Sequence, residues 1–387
     1  MNTSELPIYL DYAATTPTDP DVAEAMLPYL SGPLSAGNAG SIHRFGRQAR
    51  AAVDAGRDAV ARLIQSDYAE LYFTGSGTES DNLALIGMMT AAPPERNHLV
   101  VSAIEHHAVL HTAHYLRTQG YAVTTVPCDA AGLISPQAVA AAVTDKTALV
   151  SIMHANNEIG TLQPIAEFAR IAHEHGAKFH TDAVQSAGML AVDVRALDCD
   201  LLSLCAHKIY GPKGAGALYI RQGVKVSPLV HGGAQEREKR AGTENVAALV
   251  GFGRAAELSL VRRDPDSAHL TALRDRFLAL LRAAVPDLIL NGHPTLRLPN
   301  NVNVSVPGAE GTTLLMNLDR KGVAASSGSA CSSGSLEPSH VLKALGLADT
   351  LASSGVRFSL GRTTTEAEIM QATEIFAAIV HHLRRPR

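Results

Sequence analysis

Short, continuously apolar runs alternate with helical runs through the middle of this 387-residue chain, and no other feature restricts its fold as much. Leu71-Tyr72-Phe73 leads through Gly75-Ser76-Gly77 into a helical stretch from Thr78 to Met89. Leu99-Val100-Val101-Ser102 leads into a helical run through His111 and Leu116. Further strands are predicted at 122–126, 148–153, 178–182, 201–205 and 217–220, with Ala-rich helical segments among them. A strand that is apolar on every residue must be covered on both faces, and strands joined by helices run parallel. The pattern therefore predicts an α/β domain with a mainly parallel sheet.

The length exceeds one ordinary core, so two domains are expected. From about Val261 the pattern changes, and Arg262-Arg263-Asp264-Pro265-Asp266 reads as a boundary. After it come a predicted helix (Ala268 to Ala284), a strand (Val302 to Val306) and a Gly/Ser-rich loop from Ser326 to Ser335. A short helix opened by Pro338 and stopped at Gly346, the strand Gly355 to Ser359 and a closing helix from Glu366 to Leu383 finish a smaller α+β domain. The expected division is 14–260 for the large domain and 1–13 with 261–387 for the small one.

A formal net charge of −4, with no basic run beyond Arg384-Arg385-Pro386-Arg387, gives no reason to expect a nucleic-acid or membrane-surface partner. Each apolar stretch is broken by Asp, His, Lys or Gly, so no membrane span is expected. The segment Met1 to Tyr9 is polar and carries Glu5, unlike a signal peptide, and a cytoplasmic location is the expectation. Cys128, Cys199, Cys205 and Cys331 show no metal-ligand spacing, so no metal site is expected. The first three stand in apolar or strand-like contexts and read as buried, inert thiols.

Several segments carry chemistry. In Phe73-Thr74-Gly75-Ser76-Gly77-Thr78 a strand ends, glycines turn the chain, and Thr78 sits where a helix begins. Free N–H groups and the positive end of the helix dipole suit a phosphate there, although for this segment alone a plain Gly-rich turn with Thr78 as the helix cap is the favoured reading. Asp182 ends a strand on the edge where open parallel sheets bind ligands, with Gln185 close behind. It can hold a pyridinium nitrogen protonated, or simply cap the next helix. Lys208 follows an apolar strand and precedes a Gly/Pro-rich turn. Away from bulk water a lysine there has a lowered pKa and can form a Schiff base; a snorkelling surface lysine is the alternative. His106 lies just past a strand end, where a histidine can stack on a flat ring and move protons. Cys331 has only small neighbours in Ser326-Ser327-Gly328-Ser329-Ala330-Cys331-Ser332, so a mobile loop would present its thiol as a nucleophile. Arg357 is flanked by apolar strand positions, which suits a bound carboxylate or an internal salt bridge.

Taken together, these segments resemble the cysteine desulfurases, pyridoxal-phosphate enzymes of fold type I (aminotransferase class V). The resemblance runs from Tyr9-Leu10-Asp11-Tyr12-Ala13-Ala14-Thr15-Thr16-Pro17 through His154-Ala155-Asn156-Asn157-Glu158-Ile159-Gly160 and His207-Lys208-Ile209-Tyr210-Gly211-Pro212-Lys213-Gly214. It continues through Arg240-Ala241-Gly242-Thr243 to Arg357-Phe358-Ser359-Leu360-Gly361-Arg362. It implies a PLP-dependent transferase-like fold, a homodimer, and pyridoxal 5'-phosphate held by Lys208 as a Schiff base. Gly77, Thr78, Cys205 and His207 would surround the phosphate, with Thr243 reaching it from the partner subunit. Asp182 would pair with the pyridine nitrogen, Gln185 with the phenolic oxygen, and His106 would stack on the ring as acid or base. Asn157 and Arg357 would hold the carboxylate of L-cysteine. The loop of Cys331 resembles the longer, mobile loop of the iron–sulfur-assembly and nitrogen-fixation types. It implies that Cys331 takes up the sulfur as a persulfide, leaves alanine, and passes the sulfur to an iron–sulfur scaffold or another acceptor protein. The family usually has serine where Cys205 stands, so this contact to the phosphate is expected to be weaker here.

Overall fold

The computed structural model describes residues 7–328 and 338–384. A short strand, β1 (Ile8–Tyr9), precedes the seven strands of the central sheet: β2 (Leu71–Thr74), β3 (His98–Ser102), β4 (Ala122–Val126), β5 (Thr147–Ser151), β6 (Lys178–Asp182), β7 (Leu201–Cys205) and β8 (Gly216–Ile220). Their order across the sheet is β2-β8-β7-β6-β5-β3-β4. Every neighbouring pair is parallel except the two made by β8, which is antiparallel to both β2 and β7.

The alternation of side chains along each strand divides the core in two. Phe73, Val100, Val150, Phe179, Leu202 and Leu204 pack on one face. Leu99, Val101, Leu149, Leu201 and Leu218 pack on the other. Both faces are covered, which is why the strands read as continuous apolar runs rather than alternating ones. Burying each such side chain stabilises the fold by roughly 1.5–3 kcal/mol.

The C-terminal part builds a second sheet from β9 (Ile289–Leu290), β10 (Asn301–Ser305) and β12 (Gly355–Ser359), in the order β12-β10-β9 and antiparallel throughout. The strand β11 (Val323–Ala324) pairs in parallel with β1, returning the start of the chain to this part of the molecule. Its core gathers Leu10, Val302, Val304, Val356, Phe358 and Phe376.

The segment 262–266, read from sequence as a boundary ahead of a helix starting at Ala268, lies inside one continuous helix, Val246–Ala284. Pro265 removes an N–H and frees the Val261 carbonyl. Val261 is 79% exposed, so water can meet that carbonyl and the helix continues. The first half of the helix buries Leu249, Phe252 and Ala256 against the central sheet, and the second half buries Leu270, Phe277 and Leu281 in the other core. One rigid element therefore spans both cores. Among the described residues no helix is long and apolar enough to cross a membrane.

Candidate active site

The C-terminal ends of β6 and β7, the segments that follow β3 and β5, and the N-terminus of the helix Gly77–Ala91 converge on one cavity of about 210 Å³. Ligands of open parallel sheets bind at this edge, outside the carboxyl ends of the strands. Gly77, Thr78, His106, Asn157, Asp182, Gln185, Cys205, His207, Lys208 and Arg357 all line it. Thr243 does not: it is exposed, beside Gly75 and Arg240 in a separate cleft. Cys331 lies outside the described residues, although Gly328, close before it in the chain, lines the cavity.

At the helix start the cap is Ser76, whose side chain accepts from Glu79 N at 3.1 Å. Thr78 is thus not the cap, and the N–H groups of Gly77 and Thr78, in the first turn, have no intrahelical acceptor. A Cβ at Gly77 would stand 2.9 Å from Val184 Cγ2, so only glycine lets the backbone close over this corner. On the other side Gly216 of β8 passes the Ser76 backbone, where an added Cβ would meet the carbonyl carbon at 2.5 Å.

Lys208 stands on a single turn after β7, and its Nζ donates to the carbonyl oxygens of Ala13 and Ala14, the latter at 2.7 Å. Burial holds its amine below the ordinary lysine value. His207 lies beside Thr15, Nδ1 to Oγ1 at 3.1 Å, and burial, helped by Lys208, brings it down to about 4. Cys205 ends β7, and burial pushes its thiol up to about 12, so it stays protonated. Asp182 ends β6 and does accept from Val184 N at 2.8 Å, yet it also faces the cavity. Burial raises it to about 6, against the pull of Lys208. Gln185 donates to the Ala13 carbonyl at 3.0 Å. His106 caps the helix His107–Thr118, with Nδ1 accepting from Ala108 N at 3.1 Å, which leaves the proton of the neutral ring on Nε2. Burial, and then the nearby Lys208, lowers it to about 4.

Arg357 of β12 is buried, and here both readings of it meet. It lines the cavity, and its Nη2 donates to Asp11 Oδ1 at 2.8 Å. The acidic partner comes from the far end of the chain, which no local sequence window could show. Of the other cysteines, Cys199 is buried as read, while Cys128 is only partly covered.

Asp81, Glu158 and His340 line the cavity and were not singled out from sequence. Asp81 had a usable signal, since three- and four-residue spacing puts it on the helix face of Thr78 and Gly77. Glu158 directly follows Asn157. Burial raises its carboxyl to about 7, although Ser339 Oγ donates to its Oε2 at 2.5 Å.

A phosphorylated pyridine aldehyde matches this donor set. Open N–H groups lie at one end, a carboxyl at the end of β6, a low-pKa amine at the end of β7, and a glycine cradle encloses the corner. Asp81 Oδ1 is a further buried polar atom in the cavity with no partner among the described residues.

Comparison with known proteins places the chain. The model of the family "Aminotransferase class-V" matches residues 8–371. A cysteine desulfurase IscS from Dictyoglomus turgidum is 48% identical over 377 residues, which is 97% of this chain and 95% of that protein. Among solved structures, a NifS-like protein superposes with a TM-score of 0.91 at 34% identity, covering 97% of this chain and 100% of its own. The structure described as SspA in complex with cysteine gives 0.81 at 37% identity, over 91% and 98% of the two chains. The chain belongs to the class-V aminotransferase family of pyridoxal-phosphate enzymes, and within it to the cysteine desulfurases.

Proposed function

We propose that this protein removes sulfur from L-cysteine, leaving L-alanine and a persulfide on Cys331. The observation that carries the reading is the convergence of Lys208, Asp182, His106 and Arg357 with the Gly77 helix terminus on one cavity. The neighbour solved with bound cysteine supports the substrate.

Bound pyridoxal phosphate supplies an electron sink for the α-carbon of the amino acid. Lys208 holds the cofactor, and its depressed pKa leaves a larger fraction of its amine neutral and nucleophilic. Gly77, Thr78, Cys205 and His207 would receive the phosphate, joined by Thr243 of a second subunit in a homodimer. Asp182 would keep the ring nitrogen protonated, Gln185 would meet the phenolic oxygen, and His106 would cover the ring face. Arg357 and Asn157 orient the substrate carboxylate. His106, neutral at physiological pH, would serve as acid or base as the substrate reacts.

The Cys331 thiolate then attacks the substrate sulfur. An S–S bond forms, the C–S bond breaks, and its electron pair stays with carbon, which takes up a proton to become alanine. An external thiol or an acceptor protein takes the sulfur from the persulfide, and an iron–sulfur scaffold is the acceptor we favour. In this scheme the unit 14–260 holds the cofactor, and the unit of 1–13 with 261–387 brings Arg357 and Cys331 to it.

The test is a paired assay of wild type and Cys331→Ala with L-cysteine and a reductant. The expected outcome is two yellow proteins of which only wild type releases alanine and sulfide. Full activity in the variant would show that Cys331 is not the sulfur carrier.

A further inference from the structure

Asp81 lies one turn into the helix Gly77–Ala91, is 1% exposed, and lines the cavity with Asp182. Its Oδ1 has no hydrogen-bond partner among the described residues. The histidine beside it does not supply a counter-charge. His180 Nε2 is 3.7 Å from Asp81 Oδ1, beyond hydrogen-bond reach, and both ring nitrogens are taken: Nδ1 by Ser151 Oγ at 2.8 Å and Nε2 by Ser203 Oγ at 3.0 Å. Burial drives His180 down to about 3, so the ring is neutral.

The surroundings of Asp81 are otherwise acidic. Asp182 on β6 and Glu105 after β3 are both buried and close enough to raise its pKa, while Ser203 on β7 opposes the rise. Cys205, His106 and Lys208 share the cavity. Carboxyls buried together cannot all ionise, and the proton settles where compensation is weakest. Asp182 has the Val184 N–H and the nearby Lys208 to favour its charge. Asp81 has neither, and burial lifts it well above the ordinary carboxylate range.

We propose that Asp81 is a positioning residue of the cofactor pocket: a carboxyl that keeps its proton, acts through Asp182, and leaves the negative charge facing the cofactor ring on Asp182. The inference rests on the cofactor reading given above. It assigns a purpose to a buried acid that has no counter-ion among the described residues and would be a plain liability if ionised.

The test compares holoenzyme of wild type, Asp81→Asn and Asp81→Leu by two readouts. One is the pH midpoint of the visible cofactor band, and the other is the rate at which cofactor is lost on dialysis. Asparagine keeps a neutral donor, so the midpoint and the loss rate should stay within about twofold of wild type. Leucine removes the neutral polar group from beside Asp182, so cofactor loss should quicken by about tenfold and the midpoint should move. Asparagine behaving like leucine would mean that Asp81 works as an ion and would overturn the proposal, as would two variants that both match wild type. Should the leucine variant fail to fold, Asp81→Ala replaces it, and the asparagine arm alone still decides whether a charge is required. A wild type without a visible band would sink the cofactor reading itself, an outcome distinct from failure of the Asp81 assignment.

Discussion

Arg357 Nη2 donates to Asp11 Oδ1 at 2.8 Å, joining the guanidinium of β12 to a carboxylate near the start of the chain. Nη1 donates to the carbonyls of Asn157 at 2.9 Å and Gly328 at 3.2 Å, and Nε is buried without a partner among the described residues. A substrate carboxylate therefore meets an arginine that is already oriented and half neutralised. Arg357→Lys keeps the charge and loses the planar fork. Its KM for L-cysteine should rise about 10- to 100-fold while the visible cofactor band persists. An unchanged KM in steady-state assays would move the carboxylate site elsewhere.

His106 is tested by replacement with Gln, which fills similar space without a titrating ring. In the proposed acid–base role its loss should lower kcat by about 10²- to 10⁴-fold with cofactor still bound. A merely stacking role would instead show as weaker cofactor retention with kcat of the loaded enzyme little changed.

Glu105 connects the site to pH-dependent stability. Its Oε1 accepts from Ser102 Oγ at 2.5 Å and from Met153 N at 2.9 Å, and burial lifts the carboxyl from 4.5 to about 8. Between those values the folded state holds a proton that the unfolded chain has lost. Its contribution is full below 4.5 and disappears as pH rises through 8, with a slope of up to about 1.4 kcal/mol per pH unit. The depressed histidines act in the opposite sense, but only below their unfolded value of 6.5. Wild type should therefore lose stability to urea from about pH 6.5 to 8, and Glu105→Gln should flatten that decline. Parallel curves for the two proteins would assign the slope to another group.

Cys205 presents a thiol where a hydroxyl would donate more strongly. Cys205→Ser should tighten cofactor binding by about three- to tenfold, the scale of one neutral hydrogen bond of 0.5–1.5 kcal/mol. Equilibrium dialysis of the two proteins would check it, and weaker binding by the serine variant would show that the sulfur packs better than the oxygen bonds.

The strands at 122–126, 178–182, 201–205 and 355–359 and the closing helix 366–383 stand where the sequence pattern put them, because each is set by its own periodicity and flanking signals. The helix expected to start at Ala268 instead starts at Val246 and runs through 262–266, for a physical reason. A proline in a charged run looks like a terminator, and only the exposure of Val261 shows that the helix can pass it.

The sequence by itself determined the α/β class, the motifs and the chemistry they carry, since these reside in local residue types and spacings. Tertiary structure alone decided that ten separated positions share one cavity, that Thr243 faces a different cleft in its own chain, and that Arg357 pairs with Asp11. It also decided that Asp81 has no counter-ion among the described residues. Burial and the distance between charges depend on which strands become neighbours. That ordering, β7 between β8 and β6, joins residues far apart in the chain and cannot be read from any one segment of it.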